Sequence, residues 1–134
     1  VCSSDLCSQL INPSNHERDK ITIAIFHHPF DFFNIHENND YTRRTITSEY
    51  VSNHSHVILA GHTHNKTIVK PDRKYNRAWF FVCGASIYDS TYDNNFSIYK
   101  INIRERELRR MSYQFNPVQE IWEEKIDKSG YFLE

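Results

Sequence analysis

The sequence predicts an α/β fold whose second half consists of antiparallel strands. Two short segments, residues 21–26 and 56–60, are largely apolar and rich in β-branched side chains, which is typical of strands buried on both faces of a sheet. Later segments rich in aromatic and β-branched residues are separated by turn-forming residues, so we expect them to be successive antiparallel strands. These later segments are residues 79–83, 96–103 and 108–115.

The remaining segments predict one helix, several turns and a tail. Residues 42–52 have a modest helical periodicity, and residues 30–41 are aromatic and Asn-rich, as expected of a loop. The tail, residues 116–134, is predicted to contain a short helix around residues 118–126. Turns are expected at residues 71–72, 93–95 and 104–107.

The composition excludes several classes of protein. The chain has 134 residues, of which 39% are hydrophobic and 14% aromatic, which is enough for one domain with a packed core and too many for wholesale disorder. Its formal net charge of −1 gives it no general attraction for nucleic acid or for an anionic membrane surface. The longest apolar runs are far shorter than the roughly 20 residues of a membrane-spanning helix, so no membrane partner is expected.

The cysteines favour a reducing, cytoplasmic location, because their number is odd and they do not form a disulfide framework. They are Cys2, Cys7 and Cys83. The first 20 residues are polar, and residues 1–6 resemble one translated reading frame of a common sequencing adapter, with a natural polar loop as the alternative. We therefore assign no chemistry to Cys2 and divide the sequence into a polar start at residues 1–20, a central part at residues 21–115 and the tail at residues 116–134.

Both apolar segments end in histidine. His27 and His28 directly follow the first segment, and His62 and His64 follow the second in a Gly-His-Thr-His sequence. Ligands of open α/β sheets collect beyond the carboxyl ends of the strands, and neutral imidazole is a natural ligand for transition metals. On an extended backbone, His62 and His64 lie on the same side about 6–7 Å apart. That spacing suits two ligands of one metal ion, or one ligand on each of two neighbouring ions.

Four other residues are assigned structural roles rather than roles in metal binding. Gly61 is expected to allow a sharp backbone turn beside the histidines. His54 and His56 lie before the second apolar segment and at its first position, which favours surface or capping roles over metal binding. Cys83 lies in an apolar segment and is predicted to be a buried, inert thiol.

The two histidine motifs resemble those of a known family. Phe-His-His-Pro at residues 26–29 and Leu-Ala-Gly-His-Thr-His at residues 59–64 resemble the last two metal-binding motifs of the calcineurin-like metallophosphoesterases. The resemblance implies a four-layer α/β/β/α sandwich with two divalent metal ions, manganese, iron or zinc, at the carboxyl ends of the central strands. It also implies that His27 and His62 bind one metal ion and His64 the other, while His28 contacts the substrate or simply packs.

The activity that the resemblance implies is hydrolysis of a phosphate ester, of unspecified class, by a metal-activated water. The family also has Asp-x-His, Gly-Asp-x-x-Asp and Gly-Asn-His-Asp/Glu motifs earlier in the chain, and none is present here. We therefore expect residues 21–115 to be the carboxy-terminal half of such a domain, with the catalytic residues in an upstream half. The alternatives are a non-catalytic binding or scaffold domain of the same fold and a simple metal-binding module using His27, His62 and His64.

Overall fold

The computed structural model describes residues 20–33, 46–63, 67–72, 77–84, 94–125 and 130–133. These residues form a mixed α/β fold made mostly of strands. Two four-stranded sheets pack face to face, and a helix covers the other side of the first sheet. The described part of the chain therefore has three layers, in the order helix, sheet, sheet.

The first sheet positions the histidines. Its strands are β1 (Ile23–Ile25), β2 (Val57–Ala60), β3 (Thr67–Val69) and β4 (Trp79–Val82). They lie in the order β1-β2-β4-β3, with β1, β2 and β4 parallel and β3 antiparallel to β4. Because β1 and β2 run in the same direction, their carboxyl ends meet at one edge of the sheet.

Strand β2 is buried on both faces, as predicted for residues 56–60. Val57 points into the core between the two sheets, and Ile58 points towards the helix. The prediction for residues 21–26 is wrong in this respect, because Ile23 is 41% exposed and Ile25 is 75% exposed. Among the described residues β1 pairs with β2 alone, and the second sheet packs over β2 and β4 but leaves this face of β1 uncovered.

Strand β4 has different neighbours from those predicted. Residues 79–83 were expected among the antiparallel strands, and β4 does pair antiparallel with β3, but it pairs in parallel with β2 and belongs to the first sheet. Phe81 points into the core between the sheets, and Phe80 packs on the helix side. A strand that is covered on both faces is apolar whether it runs parallel or antiparallel to the strand beside it. The sequence pattern alone therefore does not identify its partner.

The α-helix of the described residues, α1, spans Thr47–His54. It buries Val51 against Ile58 and Ala78. The helix predicted over residues 42–52 is confirmed for its second part, and residues 42–45 lie outside the described residues. Within the described stretches, no helix has the length and apolar character that crossing a membrane requires.

The second sheet is antiparallel, as predicted for residues 96–103 and 108–115. Its strands are β5 (Asn95–Asn102), β6 (Glu107–Asn116), β7 (Ile121–Lys125) and β8 (Gly130–Phe132). Strand β6 pairs with β5 on one side and with both β7 and β8 on the other. The core between the sheets centres on Val57, Phe81, Leu108, Tyr131 and Leu133.

The helix predicted around residues 118–126 is wrong, because this segment is a turn followed by β7. The Asn116 side-chain oxygen accepts hydrogen bonds from the N–H groups of Val118 and Gln119, at 3.0 and 3.2 Å. Glu120 has a φ of 54°, a left-handed conformation that a helix does not contain. A turn in which an Asn side chain accepts hydrogen bonds from the following N–H groups competes with helix formation, because it gives those groups another partner.

A polar cluster crosses the layer between the sheets. Cys83 is half-buried rather than buried, and its Sγ lies 4.0 Å from the hydroxyl of Tyr99. Arg110, directly opposite Tyr99 on β6, is only 2% exposed. Its Nε donates to the Ser97 hydroxyl at 3.0 Å and its Nη2 to the Ser112 hydroxyl at 3.4 Å.

This cluster gives a prediction for alkaline pH. Burial, and then the neighbouring Cys83, raise the pKa of the Tyr99 hydroxyl well above its ordinary value. The folded chain therefore keeps the proton while the unfolded chain loses it above about pH 10, so stability falls as pH rises through that range. We expect Tyr99→Phe to lose less unfolding free energy than the wild type between about pH 9 and 11 in urea titrations. Equal losses of unfolding free energy in Tyr99→Phe and the wild type would contradict this. The control is Tyr113→Phe, which removes a tyrosine hydroxyl on the outer face of the same sheet.

Candidate metal centre

The parallel pairing of β1 and β2 brings two histidine segments together at the carboxyl edge of the first sheet. The Phe26 N–H donates to the Leu59 carbonyl at 2.9 Å, which continues the ladder past the end of β1. The Gly61 N–H then donates to the His27 carbonyl at 3.1 Å. His27, His28 and His62 therefore follow their strands side by side, as the sequence predicted from strand ends alone.

The three imidazoles form a compact group, called here the three-histidine cluster (His27, His28 and His62). One ring nitrogen from each lies within 4.8 Å of the others, and all three residues are exposed. Nδ1 of His62 lies 3.3 Å from Nε2 of His27. The ring centroids of His28 and His62 lie 4.2 Å apart.

The 3.3 Å separation fits a shared metal ion. Zinc binds histidine nitrogen at about 2.0–2.1 Å in tetrahedral geometry, which puts two ligand nitrogens about 3.3 Å apart. Without a metal, the same distance suits a weak hydrogen bond in which one imidazole donates and the other accepts. Among the described residues no carboxylate joins the group, so the donors found there are three imidazole nitrogens.

The backbone turn at this site falls on His62 rather than on Gly61. His62 has a φ of 70°, whereas Gly61 has no positive φ, and a Cβ at Gly61 would meet only the His27 carbonyl oxygen at an ordinary 3.6 Å. The expectation that Gly61 supplies the conformational freedom is therefore wrong. The left-handed region is uncommon for residues other than glycine, and such residues often occur at functional sites.

The strain at His62 can be measured with two substitutions. A left-handed conformation costs an alanine about 1 kcal/mol or more relative to glycine. We therefore expect metal-free His62→Gly to have a free energy of unfolding about 1 kcal/mol higher than metal-free His62→Ala. At His28, which has no positive φ, the order should reverse by roughly 0.5 kcal/mol in favour of alanine. If His62→Ala is as stable as His62→Gly or more stable, His62 is not strained in solution.

The structure brings together His27 and His62, the two histidines that the resemblance assigns to one metal ion. It also places His28, expected to be a substrate contact or a packing residue, in the same group. His64 lies outside the described residues, so its assignment to a second metal ion stays a prediction.

The other histidines of the described stretches take part in structural hydrogen bonds. The His54 Nδ1 donates to the Tyr50 carbonyl one helical turn earlier, at 2.7 Å, and the two rings stack. The His56 Nδ1 accepts a hydrogen bond from the Thr22 N–H at 2.9 Å, which holds the start of β2 beside the chain entering β1. Neither residue belongs to the three-histidine cluster.

Phe32 is a neighbour of the site that sequence reasoning missed, because the segment after Pro29 was predicted to be a loop. It ends a 3-10 helix, Phe30–Phe32, that begins directly after Pro29. Its ring centroid lies 4.8 Å from that of His62 and 5.7 Å from that of His28. The aromatic residues after a proline at a strand end were the available signal, although spacing alone does not select Phe32 among them.

Comparisons with known proteins do not place the chain in a family. No family model matches it, and no curated protein or solved structure matches it. The functional interpretation therefore depends on the histidine motifs and on the geometry of the three-histidine cluster.

Proposed function

We propose that the chain contributes the carboxy-terminal metal ligands of a metal-dependent phosphoester hydrolase. The observation that carries the proposal is the 3.3 Å separation between His62 Nδ1 and His27 Nε2, at the carboxyl ends of two parallel strands. The two histidine motifs, in their order and with their apolar strands before them, support the same interpretation. The complete fold in this proposal is the four-layer α/β/β/α sandwich, of which the described residues supply helix, sheet and sheet.

The proposed site uses neutral imidazoles as ligands. His27 and His62 would hold one divalent ion through the two nitrogens that lie 3.3 Å apart, and His64 would hold a second ion. Manganese, iron and zinc all accept this type of ligand, so the histidines alone do not select among them. Carboxylate ligands, which would balance the charge of two ions, come in this proposal from a part of the protein upstream of these motifs.

The chemistry is the exchange of one phosphorus–oxygen bond for another. A pair of bound divalent ions supplies a water of lowered pKa and balances charge on the phosphoryl oxygens. Hydrolysis breaks the bond between phosphorus and the ester oxygen as a bond to the water oxygen forms, and one proton passes from the water to the ester oxygen, so that the products are an alcohol and a phosphate. His28 is exposed beside His62, with 4.2 Å between the ring centroids, and would donate an N–H to a phosphoryl oxygen, while His27 and His62 would hold the metal ion.

A second candidate function is supported by one specific observation. His28 lies within the same group as His27 and His62, and no carboxylate joins that group among the described residues. Three imidazoles with a water complete the coordination of a single zinc ion. In this alternative the chain is a metal-binding module, and His28 is a ligand rather than a substrate contact.

Metal and phosphate titrations of His27→Ala and His28→Ala separate the two functions. In the hydrolase proposal, His28→Ala keeps the metal affinity of the wild type and weakens the binding of inorganic phosphate to the metal-loaded chain. In the module alternative, His28→Ala loses metal affinity as severely as His27→Ala does. Calorimetry with Mn²⁺ and then phosphate measures both quantities. A wild-type chain that binds neither Mn²⁺ nor Zn²⁺ would contradict both functions.

A further inference from the structure

We propose that Phe32 binds a planar aromatic group of the substrate, so that the site prefers aryl or nucleoside phosphate esters over aliphatic ones. This inference rests on the proposed function and specifies the substrate class of the same site. It depends on where the Phe32 ring lies, on how exposed it is, and on what it contacts.

The position of Phe32 follows from the backbone after the first histidine pair. The Phe32 N–H donates to the Pro29 carbonyl at 3.0 Å, and this bond folds the chain back towards the strand ends. The Phe32 ring then lies 4.8 Å from the His62 ring, with the two ring planes nearly perpendicular at 80°. An ester group on a phosphate bound at the three-histidine cluster is therefore within reach of this ring.

The exposure of Phe32 distinguishes it from its aromatic neighbours. Phe32 is 53% exposed, whereas Phe30 and Phe33 are half-buried and pack against Phe26. Phe30 also packs on Phe80 of the first sheet, at 5.3 Å between ring centroids. Phe30 and Phe33 thus make the hydrophobic contacts of this turn. The ring contacts of Phe32 among the described residues are with His28 and His62 of the three-histidine cluster.

An exposed ring beside a phosphate-binding site suits a substrate that has its own aromatic ring. Stacking of a nucleobase on an aromatic side chain is sequence-tolerant, because every base has a π-face, and it strengthens binding by about tenfold or more. A phenyl ester offers the same type of surface. Glycerol phosphate carries the same phosphate without a ring, so it isolates the contribution of Phe32.

The test compares three ligands on the Mn²⁺-loaded chain by calorimetry: phenyl phosphate, adenosine 5′-monophosphate and glycerol 3-phosphate. We expect at least one of the aromatic ligands to bind about tenfold more tightly than glycerol 3-phosphate. Phe32→Ala should remove this preference without changing the affinity for glycerol 3-phosphate, and Phe32→Trp should keep it. Phe132→Ala, which removes an aromatic ring that is 69% exposed on β8, is the matched control and should change nothing.

The outcomes separate this inference from the proposed function. Binding of all three ligands with equal affinity, or a preference that survives in Phe32→Ala, would overturn the inference and leave the proposed function standing. No metal-dependent binding of any phosphate would overturn the proposed function, and the inference with it. A preference limited to phenyl phosphate would indicate that the Phe32 ring binds aryl esters. A preference limited to adenosine 5′-monophosphate would indicate that it binds nucleotides.

Discussion

Replacing either histidine of the 3.3 Å pair is expected to lower the affinity of the chain for a divalent metal by roughly a hundredfold or more. The variants are His27→Ala and His62→Asn. Each imidazole is neutral when bound, so its removal costs a coordination bond without changing the formal charge of the site. Asparagine is chosen at position 62 because it tolerates the left-handed backbone, whereas alanine would add strain to the loss of a ligand.

Competition with a chromophoric chelator measures this loss for Mn²⁺ and Zn²⁺. His54→Ala is the matched control, because His54 has the same side chain but bonds to the Tyr50 carbonyl outside the three-histidine cluster. It should bind metal as the wild type does. Affinities of His27→Ala and His62→Asn equal to that of His54→Ala would show that the pair does not hold the ion.

Phe81→Ala is expected to lower the free energy of unfolding by roughly 3–5 kcal/mol, which is comparable with the whole stability of many small domains. Phe81 is fully buried between the two sheets. Its ring contacts Tyr99 and Tyr131, with centroids 5.2 Å away in each case, and the Arg110 guanidinium lies over it at 5.9 Å. Removing the ring therefore opens a cavity at the point where the sheets meet, and the surrounding rings only partly fill it.

Urea unfolding followed by fluorescence measures this effect. Phe132→Ala, which removes an exposed phenylalanine of β8, should change the free energy of unfolding by no more than about 0.5 kcal/mol. Similar small losses in both variants would mean that the sheets do not pack through Phe81 in solution.

The sequence predicted those parts of the fold that depend on local patterns. Strand β2 was recognised from its apolar run, and β5 and β6 from β-rich segments separated by turns, because these signals lie within each segment. The parallel pairing of β4 with β2 was not predicted, since an apolar run does not encode which strand lies beside it. The prediction for the segment after Asn116 was also wrong, because the Asn116 side-chain oxygen accepts two backbone hydrogen bonds that form a turn instead of a helix.

The candidate site was likewise predictable only where it depends on local sequence patterns. His27, His28 and His62 were candidates because each follows an apolar strand, and parallel pairing of those strands places them together. The assignment of His27 and His62 to one metal ion came from the resemblance to a family. The left-handed conformation of His62 and the approach of Phe32 depend on how the chain turns after each strand. Those turns are set by contacts between segments that are distant in sequence, so no local pattern contained them.

X-ray absorption spectroscopy of the chain loaded with one equivalent of Zn²⁺ identifies the atoms bound to the metal and therefore tests whether His27 and His62 hold it. We expect at least two imidazole nitrogens at about 2.0–2.1 Å in the wild type. This imidazole signal should be lost in the His27→Ala, His62→Asn double variant and kept in His54→Ala. A wild-type spectrum with oxygen ligands alone, or an imidazole signal that persists in the double variant, would contradict this expectation.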